Sequence, residues 1–166
     1  MDLQDLGKAE LLDWLKEAAK LWYAHDGLWF QAVEDKFGLE AAIELDKKAW
    51  SQFTVVEADR IKNMLGLGEN PGLEAVFTAL KFRLAYRIND SQLEMAPDKI
   101  ILRNHSCRVQ SARKRKGLAD FACQPVGIVQ YSGFARAIDP RVKTTCVFCP
   151  PDDHPEDTWC RWEFSL

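Results

Sequence analysis

The chain has 166 residues, of which 22 are basic and 25 acidic, for a formal net charge of −3. That is about one domain, long enough to bury a core without disulfides, and 47% hydrophobic with 28% charged residues is a globular rather than a disordered composition. The acidic balance argues against a duplex-binding protein, which needs a positive surplus to displace counterions, and no apolar run approaches the roughly 20 residues of a membrane span.

The opening Met1-Asp2-Leu3-Gln4-Asp5 is acidic and has no apolar core segment, so no secretory leader is expected. With five cysteines and no leader, the expected compartment is the cytoplasm, where thiols serve as free groups or metal ligands rather than bridges.

No repeat or linker divides the sequence, and we read residues 1–166 as a single domain with a change of character near residue 70. Residues 1–70 read as helical. Leu11, Trp14, Leu15, Ala18, Leu21 and Trp22 recur at helical spacing, which gives a first helix from Lys8 to about Ala24. Asp26 is positioned to cap a second helix, which Gly38 ends. A third helix carries Ala41, Ala42, Leu45, Ala49 and Trp50. Thr54-Val55-Val56-Glu57 reads as a capping box that opens a fourth.

Residues 71–166 mix both element types. A helix over Leu73 to about Leu84 precedes an extended segment from Tyr86 to Met95. Ala96-Pro97-Asp98-Lys99 turns it into a returning strand at Ile100-Ile101-Leu102. A basic helix from Arg108 stops at Gly117, and another carries Val126, Val129, Phe134, Ala135 and Ile138 until Asp139-Pro140 breaks it. Val142 to Phe148 and Trp159 to Leu166 form a second strand pair. The order β-β-α-α-β-β gives an α+β fold, a helical N-terminal half followed by an antiparallel sheet.

Cys146-Val147-Phe148-Cys149, with Cys123 before it and Cys160 after it, is the informative pattern. Two thiols two residues apart face one ion from a turn, and two more from separate elements complete a tetrahedron; zinc is the expected ion, and four thiolates leave no open position, so the site is structural. Arg141, Lys143 and Arg161 are the cations that would offset its charge. An iron–sulfur cluster is the alternative with the same ligands. Cys107 reads as an inert buried thiol or a substitute ligand, and His154 as a solvated residue of the acidic loop or a replacement for one thiolate.

The same cysteines resemble the C-terminal part of the 4-vinyl reductase domain, an α+β small-molecule-binding module. That family's pattern is a lone cysteine, then Glu-x-x-Cys, then a last cysteine before an aromatic strand, and those residues bind zinc. The resemblance assigns Cys123, Cys149 and Cys160 to the cysteine positions and places Cys146 where the family has glutamate. The run His25-Asp26-Gly27-Leu28-Trp29-Phe30, with Phe37-Gly38 and Trp50, is similar to bacterial proteins grouped with 2-amino-thiazoline-4-carboxylate hydrolases.

What the first resemblance implies is a small-molecule-binding protein with an apolar pocket between helices and sheet. His25, Trp29, His105 and Tyr131 are its expected lining. The expected partner is a small apolar or aromatic molecule, with a homodimer as the assembly considered. Arg113-Lys114-Arg115-Lys116 reads first as a solvated helix face and second as an anion site. The rivals are a hydrolase of a small heterocycle or amide and a structural subunit of a larger assembly. No phosphate loop, dinucleotide fingerprint, nucleophile elbow or His-Glu-x-x-His is present.

Overall fold

A computed structural model describes residues 2–166. After a 3-10 turn at Leu3–Asp5, two long helices form a hairpin, α1 Lys8–Phe37 and α2 Leu39–Leu65. Each merges two segments that the sequence reading kept apart. Asp26 and Gly27 lie inside α1, and Thr54 lies inside α2 with no exposed surface. A glycine inside a helix costs about 1 kcal/mol. Here packing outweighs it, because Trp22, Tyr23 and Phe30 of α1 close on Trp50 and Phe53 of α2 and on Phe121. Trp22 stacks on Phe53 with ring centres 5.0 Å apart.

The reversal is made at one residue. Gly38 sits at φ +87°, where a side chain would be strained, and its N–H still bonds to Glu34. Most of the first three turns of α1 have no partner. Leu11, Leu12, Trp14 and Leu15 are all exposed there, and Ala19 is the only buried residue of this helix.

Beyond Gly66 come α3 Leu73–Leu80 and α4 Leu84–Ile88. The segment at Tyr86 expected to be extended is therefore a helical turn, opened at Arg83, and the strand begins only at Asp90. The rest follows the expected order: β1 Asp90–Met95, β2 Lys99–Ser106, α5 Arg108–Arg115, α6 Gln124–Ile138, β3 Lys143–Phe148 and β4 Cys160–Ser165. The sheet runs β1-β2-β4-β3, antiparallel throughout. The β2–β4 register sets Ile100 opposite Phe164, Leu102 opposite Trp162 and Asn104 opposite Cys160. Period-two alternation puts these six side chains on one buried face, and salt bridges such as Lys99–Glu163 and Arg103–Glu94 belong to residues of the other.

Helix α6 fills the centre. Phe134, Ala135 and Ile138 are fully buried between α2 and the sheet, in one core with Ala58 and Ile61 of α2, so the core crosses from the helical half into the α+β half. Close approach depends on glycine at two places. A Cβ at Gly127 would meet Trp162 Cζ2 at 2.7 Å, and one at Gly133 would meet Thr54 Oγ1 at 2.6 Å. Asp139, fully buried at the end of α6, accepts from the Gly72 amide at 2.8 Å and from the Arg141 side chain, which holds its carboxyl well below the usual range. Among the described residues, no helix is long and apolar enough to cross a membrane.

Candidate ligand cavity and sulfur cluster

A cavity of about 370 Å³ lies where α1, α2, α5 and α6 meet the buried face of the sheet. Its register on α1 is Tyr23, Asp26, Gly27 and Phe30, the i, i+3, i+4, i+7 stripe that faces inward. The apolar wall is aromatic, with Trp50, Phe121, Tyr131 and Trp162; the Tyr131 and Trp162 ring centres are 4.7 Å apart. Few polar groups enter this surface, which suits a site that binds by burial and orients by a small number of contacts.

Asn104 is one of them. It is 4% exposed, and its Nδ2 donates to the Tyr131 hydroxyl at 3.3 Å and to the Cys160 sulfur at 3.2 Å. Burial raises the Tyr131 phenol well above its ordinary range, so it is a neutral hydroxyl at physiological pH.

Charged groups ring the rest of the cavity. Asp26 and Asp46 line it from α1 and α2. Burial, and next the charge of Asp26, push the Asp46 carboxyl up to about 7, against a hydrogen bond from Trp50. Across the cavity stand Arg108, Arg113, Arg115 and Lys116 of α5 and the residue after it. Arg113 is committed to structure: its guanidinium grips Glu34 with two bonds of 2.8 and 3.1 Å, and its Nε donates to Ala119 O. That clasp fixes α5 against α1.

Of the residues expected to line the pocket, Tyr131 does. The structure does not bring His25, Trp29 and His105 to it. His25 and Trp29 fall on the outer side of α1, and Trp29 is 70% exposed. His105 alternates to the opposite face of β2 from Asn104, where its ring nitrogens lie 3.1 Å from Asp157 O and 3.2 Å from Gln92 Oε1. Cys107 does line the cavity, because the strand has given way to α5 by that point. Burial pushes its thiol up to about 12, so it is inert as a nucleophile. Tyr23, Asn104 and Trp162 line the cavity and were not among the expected residues. The last two were legible as inward positions of alternating strands.

The four expected ligand cysteines come from the segment before α6 (Cys123), from β3 (Cys146), from the turn after it (Cys149) and from β4 (Cys160). A backbone bond from Gln124 to Pro150 O, 2.9 Å, ties the start of α6 to the cysteine turn. Cys123 and Cys149 sulfurs are 3.3 Å apart, and Cys149 is also hydrogen-bonded to Cys160. These contacts lower the Cys160 thiol to about 7 while raising that of Cys149. All five cysteines are free thiols.

The 3.3 Å contact between Cys123 and Cys149 is shorter than the edge of about 3.8 Å in a tetrahedron with 2.3 Å zinc–sulfur bonds. Among the described residues, no three His, Cys, Asp or Glu side chains are set out to hold an ion as they stand. The surroundings are mixed for thiolates, since burial pushes the Cys146 thiol up to about 11. Amide donors reach three of the four sulfurs: Asn104 to Cys160, Gln110 to Cys123 at 3.7 Å and Gln124 to Cys146 at 3.9 Å. The cations expected in that role are engaged elsewhere, Arg141 on Asp139 and Arg161 on Glu163, while Lys143 is exposed. His154 packs on the Trp159 ring, 4.8 Å between centres.

A family model described as a family of unknown function, DUF6125, matches residues 4–166. The chain belongs to the DUF6125 family. No curated protein matches it. A solved structure similar to this DUF6125 chain is the phenol-responsive sensory domain of the transcription activator PoxR, crystallised with phenol. The two share 16% identity at a TM-score of 0.54, over 86% of this chain and 73% of that one, a likeness of fold.

Proposed function

We propose that this DUF6125 chain is a small-molecule-binding module that holds an apolar or aromatic ligand between its helices and sheet. The observation that carries this reading is the cavity of about 370 Å³ walled by Trp50, Phe121, Tyr131 and Trp162 with Asn104 among them. At roughly 30 Å³ per water, that is about a dozen water volumes, more than twice the roughly 150 Å³ that takes benzene, so a one-ring molecule fits with room for substituents or a second ring. A fold shared with a sensory domain crystallised with phenol supports the same reading.

The 4-vinyl reductase-type kinship read from the cysteine spacing is part of this proposal, and so is zinc. Cys123, Cys146, Cys149 and Cys160 would hold it as thiolates. A bound zinc would tie β3 and β4 to the start of α6. Asn104, Gln110 and Gln124 would stabilise the thiolates through N–H···S bonds. Free thiols fit a reducing compartment, so the cytoplasm remains the proposed location.

Thermal unfolding of the purified chain against a panel of one-ring aromatics tests the binding reading, since a ligand of the folded state raises the midpoint with concentration. A panel without a single concentration-dependent shift contradicts it. Elemental analysis with a thiol count tests the metal. One zinc per chain and about four thiols freed by a chelator are expected, whereas metal-free protein with fully reactive thiols removes zinc from the proposal.

A further inference from the structure

Helix α1 carries two apolar faces. Tyr23, Asp26, Gly27 and Phe30 turn inward to the cavity. On the far side, Leu11, Trp14, Ala18, Leu21, His25 and Leu28 follow one another at alternating steps of three and four residues. All of these but Ala18 are exposed, Leu21 and Leu28 by 62% each. A helix packed on one side ordinarily turns charge to water on the other. Here the Glu17–Lys20 ion pair lies beside the apolar row instead of on it. Five successive steps of three and four make the a and d repeat of a coiled coil, a row that faces another helix.

The row is large enough for a stable contact. Leu11, Trp14, Leu15, Leu21, Leu28 and Trp29 stand 41–70% exposed on this side. Together they present roughly 700 Å² of side-chain surface, so covering it on two copies removes about 1,400 Å², inside the range of about 1,200–2,000 Å² for specific interfaces.

The row is also complementary to itself. Set antiparallel about a two-fold axis between Ala19 and Lys20, it meets a copy of itself with Leu11 facing Leu28, Trp14 facing His25 and Ala18 facing Leu21, each pair made twice. Small then faces large, as close packing requires. A parallel pairing would instead set Ala18 on Ala18, leaving a gap, and Trp14 on Trp14. We infer that α1 is the contact between two copies of this chain, packed antiparallel along this row.

Light scattering on the purified full chain over a concentration series tests it. The expected mass at high concentration is twice the 19.0 kDa of the chain. Leu21→Glu, and separately Leu28→Glu, should give monomers with unchanged helix content, since both positions are exposed in the single chain. Adding Ala18→Lys to Leu21→Glu should restore the dimer, because the antiparallel register sets each new lysine opposite a new glutamate, whereas a parallel one sets like charges together. A parent chain that is monomeric at every concentration leaves the row to a different protein's helix and overturns the second copy. Dimers that survive both glutamate variants place the contact elsewhere and overturn it equally. Failure of the lysine to restore the dimer overturns the antiparallel register.

Discussion

The side-chain amide of Asn104 donates to the sulfur of Cys160 across the β2–β4 pair, at 3.2 Å. The same amide reaches the Tyr131 hydroxyl, and Cys123, Cys149 and Cys160 all line the cavity. Sulfur cluster and cavity therefore share a wall, and a change in one is felt in the other. If the cluster holds zinc, Asn104→Ala should lower zinc affinity about 10- to 100-fold, the usual effect of removing a partner that orients a metal ligand. Competition against a chromogenic chelator measures it, and an unchanged affinity would detach Asn104 from the cluster.

Three glycines, all within helices, separate packing from propensity. Alanine is favoured over glycine in a helix by about 1 kcal/mol. At Gly127 and Gly133 the added methyl would lie 2.7 Å from Trp162 and 2.6 Å from Thr54, so overpacking should dominate and cost about 1–3 kcal/mol. At Gly27 nothing lies within 4 Å of the new Cβ, so Gly27→Ala should stabilise. Denaturant unfolding of the three variants decides the signs; stabilisation by Gly127→Ala would mean that α6 sits further from the sheet than described.

Asp46 sets a pH dependence. Its carboxyl is at about 7 in the folded protein, raised by burial and by Asp26 from an ordinary 3.8. Between those values the unfolded chain has released the proton that the folded chain keeps. Stability from this group is therefore full at acidic pH, falls as pH rises from about 4 to 7, and is level above that. Asp46→Asn should flatten this slope and be more stable than the parent at pH 8. A parent whose stability does not fall between pH 5 and 8 relative to Asp46→Asn would show that Asp46 titrates normally.

The type of nearly every long element was legible from periodicity, and the β-β-α-α-β-β order survives intact. The breaks at Asp26 and Thr54 failed for a physical reason. Both are good caps locally, but the aromatic cluster of Trp22, Tyr23, Trp50 and Phe53 holds the helices continuous through them. The cysteine set was legible as four residues, which come from the segment before α6, from β3, from the turn after it and from β4. Its amide donors were not, since Asn104, Gln110 and Gln124 arrive from three separate elements. In the cavity, Tyr131 lines the wall from α6, whereas His25 and Trp29 fall off the inward stripe of α1, which is Tyr23, Asp26, Gly27 and Phe30.

The central claim, that the cavity receives the ligand, is tested most directly by filling it. Ala112, on the α5 wall, can be replaced by tryptophan, and calorimetric titration with one-ring aromatics compared with the parent. Saturable binding to the parent that Ala112→Trp abolishes, in a variant that still unfolds cooperatively, is the predicted result. Binding that survives in the filled variant would place the ligand elsewhere and contradict this account.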